Sequence, residues 1–261
     1  MELRLDGKTA LITGGSMGLG KAMGTAFAGA GAKVVLVARR QENLDAAKAE
    51  IIAAHPDASV IAVSADVQTA EGCQKAYQAG VDAFGEINIL VNNAGRSARG
   101  NFLDISDEAW QEDLDLKFMA AVRLCRLAIP GMREKGWGRI INVLNTAAKA
   151  PPATSMPTSV SRAAGLAMTK ALAGEVAGDG INVNALLVGT IDSDQWVRRH
   201  AALDDGRTYE DYKKDMAVGI PLGRIGKSEE FANTALFLAS DAASYLAGIA
   251  INVDGGKSPI W

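Results

Sequence analysis

The chain has 261 residues, 48% of them hydrophobic, and a net charge of −3, which suits one sizeable domain and offers no basic face for nucleic acid or an anionic membrane. Cys73 and Cys125 lie far apart without a C-x-x-C, and His55 and His200 lack ligand-spaced partners, which argues against a disulfide framework or a metal cluster. No apolar run reaches the roughly 18–20 residues of a membrane span, and MELRLDGKTALIT shows no leader pattern, so a soluble cytoplasmic protein is expected.

Seven short apolar runs read as strands: 9–13, 33–38, 59–65, 87–92, 138–144, 181–188 and 248–253. They are continuous rather than alternating, as expected for strands buried on both faces. Helical patterns separate them over 18–30, 41–54, 69–84, 106–133, 156–178 and 228–240. Repeated β-α-β implies an α/β fold, a Rossmann-type doubly wound parallel sheet in one domain over 1–261. Residues 190–220 interrupt the rhythm. They are polar, charged and long, which suggests a lid or a solvated helical excursion.

The first predicted strand runs into Thr13-Gly14-Gly15-Ser16-Met17-Gly18-Leu19-Gly20, and a helix follows. Glycines between a strand and a helix let backbone N–H groups approach a pyrophosphate at the positive end of the helix. Arg39 and Arg40 close the second strand, where a carboxylate would favour NAD, and their charge suits a 2′-phosphate. NADP(H) is therefore favoured over NAD(H). Asp66 and Val67 end the third strand, where a carboxylate suits an adenine amino group, and Asn93, Ala94 and Gly95 end the fourth.

Together with G138-R139-I140-I141-N142, S161-R162-A163-A164, V183-N184-A185, Gly189 and V253-D254-G255-G256, these residues resemble the short-chain dehydrogenase/reductase family, near its 3-oxoacyl-carrier-protein reductases. The resemblance covers essentially the whole chain. It implies strand order 3-2-1-4-5-6-7, a homotetramer, and hydride transfer between a nicotinamide and a carbonyl or alcohol substrate. It also places Ser16, Met17, Gly18, Leu19, Gly189 and Ile191 along the cofactor. In the family a tyrosine is the acid/base, a lysine four residues on lowers its pKa, a serine polarises the carbonyl and an asparagine holds a water relay. At those four positions this chain has Thr158, Arg162, Asn145 and Lys117. Val188 replaces the proline that usually precedes Gly189.

An aliphatic hydroxyl is a far weaker acid than a phenol, and arginine stays cationic. Arg162 could bind the cofactor ribose or a substrate carboxylate, and Asn145 could still donate to a carbonyl oxygen. Lys117 lies on or beside an apolar stripe of Trp110, Leu114, Phe118, Ala121 and Cys125, and points either into the site or to solvent. Buried beside Arg162, it would be an acid/base near neutral pH. Tyr209 and Tyr212 in the lid are second candidates. The leading reading is an NADP(H)-dependent oxidoreductase of a small molecule with a changed proton relay. The alternatives are a nucleotide-binding homologue without catalysis, acting as partner or sensor, and a non-redox lyase or isomerase.

Overall fold

The computed structural model describes residues 3–203 and 206–261, with no account of the side chains at 194 and 195. In chain order the elements are β1 (Thr9–Thr13), α1 (Gly18–Gly29), β2 (Lys33–Ala38), α2 (Gln41–Ala54), β3 (Val60–Ser64), α3 (Ala70–Phe84) and β4 (Ile89–Asn92). Then come β5 (Arg99–Gly100), α4 (Asp107–Leu114), a π-helical turn (Asp115–Met119), α5 (Ala120–Lys135), β6 (Gly138–Asn145) and β7 (Met156–Pro157). The chain ends with α6 (Thr158–Val176), β8 (Ile181–Val188), α7 (Asp194–Ala201), α8 (Tyr209–Ala217), α9 (Ser228–Ala239) and β9 (Ala250–Val253).

Seven strands form one sheet in the order β3-β2-β1-β4-β6-β8-β9, and every pairing is parallel. Counting only these seven, the order is 3-2-1-4-5-6-7, as the resemblance implies. The two-residue strands β5 and β7 pair antiparallel outside it.

The strands are apolar on both faces because both faces are covered. Ala10, Ile12, Val34 and Leu36 face a layer holding Met23 and Phe27 of α1, Leu44 and Ile51 of α2, and Phe231 and Leu238 of α9. Their neighbours Leu11, Val35 and Val37 face Cys73 of α3, Leu124 and Ala128 of α5, and Ala173 and Val176 of α6. This is the doubly wound, single-domain α/β Rossmann architecture. Its strand carboxyl ends, which in such sheets open onto the ligand crevice, collect the glycine loop, Asp66, Asn93, Asn145 and Gly189.

Two expectations change in detail. The helix expected over 106–133 is interrupted by the π turn and runs on to Lys135. Of the expected stripe, Ala121 and Cys125 are buried but Trp110, Leu114 and Phe118 are only half-buried, and the inward line before Ala121 is Asp113 and Lys117. Apolar periodicity misses that face because its first two positions are polar. The excursion at 190–220 folds as α7 and α8, and residues 204–205 of it lie outside the described residues.

Candidate active site

At the nucleotide end, Gly14 and Gly18 take positive φ (65° and 50°) so that the loop can turn into α1. A β-carbon on Gly20 would overlap the Gly14 carbonyl, so only hydrogen there lets the helix press against the loop. No side chain caps α1: Met17 occupies the N-cap without a cap bond, and backbone N–H groups are left facing outward. The Thr13 hydroxyl accepts from the N–H groups of Asn93 and Ala94, both at 2.9 Å. Asn93 Nδ2 donates to the carbonyl of Thr13 at 2.9 Å. These two residues tie the ends of β1 and β4 together, and through them shape the crevice.

Beyond β2 and β3 a groove of about 410 Å³ is lined by Arg39, Ser64, Ala65, Asp66, Gly72 and Lys75, among others. Arg39 and Lys75 bring cations to it and Asp66 and Glu71 carboxylates, groups that suit a phosphate and an adenine amino group. Arg40 is the N-cap of α2 and exposed. Gly189 packs so closely on Asp254 that a β-carbon would overlap it. Ile191 is buried and bridges to Gly226. The glycine cradle, the uncapped helix and the groove lined by Arg39 and Asp66 fit a phosphorylated dinucleotide.

At the reacting end, Lys117 is buried, with a side chain only 1% exposed. The π turn carries it inward, and π turns recur at functional sites because the extra residue re-aims side chains. Its ammonium donates to Asp113 Oδ1 and, at 2.9 Å, to Thr158 Oγ1. No further protein acceptor takes its third N–H among the described residues. Asp113 is equally buried, and its Oδ2 accepts from the Ser161 hydroxyl at 2.6 Å. Burial, helped by the nearby Arg162 and Arg96 guanidiniums and opposed by Asp113, pulls the Lys117 ammonium down to about 8.

Thr158 Oγ1 donates to the Ala98 carbonyl at 2.7 Å and accepts from the Ala98 N–H at 2.9 Å. With Lys117 also bound, that hydroxyl is saturated. It braces Lys117 and the loop after β4.

Arg162 Nη1 donates to the Val143 carbonyl at 2.6 Å. Burial pulls its guanidinium down to about 10, with Asp113 pulling the other way, and it stays cationic at neutral pH. A β-carbon on Gly95 would overlap Arg162 Nη2 and touch Lys117 Cγ at 3.6 Å, so Gly95 admits both cations to one place. Asn145 ends β6, two residues beyond Val143, and its Oδ1 is buried without a donor. That orphaned acceptor suits an alcohol O–H, and a half-turn of the amide would present Nδ2 to a carbonyl.

The structure thus brings Lys117, Thr158 and Arg162 together beside Gly95, with Asn145 at the adjoining strand end. It adds Asp113 and Ser161, whose roles the sequence reading missed. The D-x-x-x-K spacing of Asp113 and Lys117 was the available signal, since residues four apart share a helix face. Of the lid candidates, Tyr209 donates its phenol to Asp192 Oδ1 at 2.5 Å. Burial first, then Asp192, pushes that phenol above its ordinary range, which makes it a poorer acid rather than a second proton source. Tyr212 stacks with His200 and Tyr209.

This fold and site define a nucleotide-binding oxidoreductase. Residues 14–258 match the family model described as enoyl-(acyl carrier protein) reductase. The chain belongs to the short-chain dehydrogenase/reductase family. It is 36% identical over 258 residues to the 2,5-dichloro-2,5-cyclohexadiene-1,4-diol dehydrogenase LinX of Sphingobium indicum, covering 99% of each chain. It superposes on L-sorbose reductase of Gluconobacter frateurii, a structure complexed with NADPH and L-sorbose, with a TM-score of 0.95, 36% identity and full coverage of both chains. It also superposes on an NADPH-bound short-chain oxidoreductase of Pseudomonas aeruginosa PAO1 containing an atypical catalytic centre. There the TM-score is 0.91, with 35% identity and 99% of each chain covered.

Proposed function

We propose that the chain is an NADP(H)-dependent reductase of a small carbonyl compound in which Lys117, not a tyrosine, delivers the proton. The observation that carries this is a buried ammonium with one N–H unclaimed, braced by Thr158 and Asp113 and flanked by Arg162. The bound nicotinamide would supply the hydride. α1's N-terminus and the glycine loop would hold the pyrophosphate, Arg39 and Lys75 the 2′-phosphate, and Asp66 the adenine amino group. Arg162 would hold the nicotinamide ribose or a substrate carboxylate. Asn145 would donate from its amide to the substrate oxygen. Lys117 Nζ would then give its proton to that oxygen as it becomes a hydroxyl, and recover a proton from water.

Two relatives with NADPH bound support the cofactor reading, as does the guanidinium lining the adenine-side groove. We place the protein in the cytoplasm, which its free buried cysteines support, and as a homotetramer, which the family resemblance implies.

The test is a fluorescence titration with NADPH and NADH, followed by a panel of carbonyl compounds. Tighter NADPH binding is expected, with oxidation by at least one carbonyl. Lys117→Ala should lose that turnover by at least about a hundred-fold, the typical share of a general acid, with NADPH affinity retained. Unchanged turnover in the variant removes Lys117 from the mechanism. Binding without oxidation by any carbonyl favours a nucleotide-binding protein without catalysis.

A further inference from the structure

The buried trio of Asp113, Lys117 and Ser161 goes beyond what a proton donor alone requires. Lys117 is faced by cations from two sides: Arg162 from α6, and Arg96 from the loop after β4, itself ion-paired to Glu112. Thr158 and Ser161 of α6 offer only neutral hydroxyls. Among the described residues the single anion directly on Lys117 is Asp113 of α4, one turn before it. Burial and two cations together disfavour a protonated amine, so something must hold the charge in place.

Asp113 is also fixed in direction. One carboxylate oxygen is taken by Lys117 and the other by Ser161, whose hydroxyl also reaches the Thr158 carbonyl at 3.1 Å. The carboxylate therefore cannot rotate without breaking a bond at one end. Ser161 and Thr158 are three residues apart on one face of α6, so the same helix holds Lys117 at Nζ and holds the group that holds Lys117.

We propose that Asp113, clamped by Ser161, is a positioning residue that aims the Lys117 ammonium at the reacting carbonyl and supplies its counter-charge. This rests on the reading of Lys117 as the acid. The rival role is mechanical, a polar rivet between α4 and α6.

The two roles separate on a direct titration of Lys117. The full-length protein is labelled with lysine carrying 13C at Cε. The Lys117 resonance is assigned by its loss in Lys117→Met, and kcat and KM are followed against pH. In Asp113→Asn, burial and the two guanidiniums act unopposed, so Lys117 should titrate lower by about one unit or more. The alkaline limb of kcat should move with it. At pH 7.5 kcat should fall about ten-fold or more, with KM within about two-fold, as for an interaction made at the transition state.

Should Asp113→Asn not fold, Asp113→Glu carries the test. It keeps the charge and displaces the oxygens by a methylene. Lys117 should then titrate within about half a unit of the native value, while kcat again falls about ten-fold from misplacement. A native titration and native kcat profile in Asp113→Asn, or native kcat in Asp113→Glu, overturns the proposal. Failure of the underlying acid assignment shows differently, as full turnover in Lys117→Met whatever Asp113 does.

Discussion

The hydroxyl of Thr158 gives its proton to the Ala98 carbonyl and receives from the Ala98 amide and Lys117, so no hydrogen remains for a substrate. On the proposed reading the proton comes from one side chain away, from an amine that burial pulls to about 8. The sign of the pH dependence follows. Reduction needs the charged ammonium, so its kcat should hold through neutral pH and fall about ten-fold per unit above about 8. Oxidation of the alcohol needs the neutral amine as base, so its kcat should rise through the same region and level off beyond it. Measuring both directions between pH 6 and 10 checks this, and two profiles falling in the same direction would contradict it. A relay through Arg162 would place the limb near 10, where burial leaves that guanidinium.

Two helices aim this chemistry, α1 through its first turn and α4 through the π turn that follows its last. α1 begins uncapped with its Gly20 pressed against the Gly14 carbonyl of the loop, and α4 runs into a π turn that swings Lys117 inward. Gly20→Val should therefore push helix and loop apart and weaken NADPH binding by at least about ten-fold, one unfavourable contact of roughly 1.4 kcal/mol being enough. Isothermal titration calorimetry checks it, and native affinity would mean the loop yields without loss. The turn of the glycine loop was legible in the sequence because it needs backbone freedom at fixed places between a strand and a helix. The strands were legible for a similar reason, since burial on both faces leaves runs such as KVVLVA. The inward face of α4 was not. Periodicity reads apolar burial, and here the buried positions are Asp113 and Lys117, with half-buried Leu114 and Phe118 beside them. The π turn is invisible to any fixed helical period, and the saturation of Thr158 depends on Ala98, sixty residues away.

At the scale of the whole molecule, an excursion that joins β8 to α9 leaves the sheet at the carboxyl end of β8, just beyond Gly189. α7 and α8 pack on each other through His200, Tyr209 and Tyr212, with His200 Nε2 at 2.8 Å from the Arg207 carbonyl. The link back to the sheet is Asp192, just beyond Gly189 and Ile191. It accepts from the Tyr209 phenol at 2.5 Å and lies 3.8 Å from Lys213 Nζ. A hydrogen bond to a charged group contributes on the order of 1.5–3 kcal/mol. Partial exposure and the second partner reduce that here, so about 1 kcal/mol is the scale of this tie between α8 and Asp192. On the reading of the excursion as a lid, Tyr209→Phe should raise KM for the carbonyl substrate about five-fold, since lid closure contributes to substrate retention. The single-turnover rate of NADPH oxidation at saturating substrate should stay within about two-fold of native, because Tyr209 is not the acid. Stopped-flow fluorescence of the nicotinamide reads both quantities in one series. A collapse of the single-turnover rate would instead give the phenol a chemical role and displace Lys117, whereas an unchanged KM would mean that the contact with Asp192 does not govern closure.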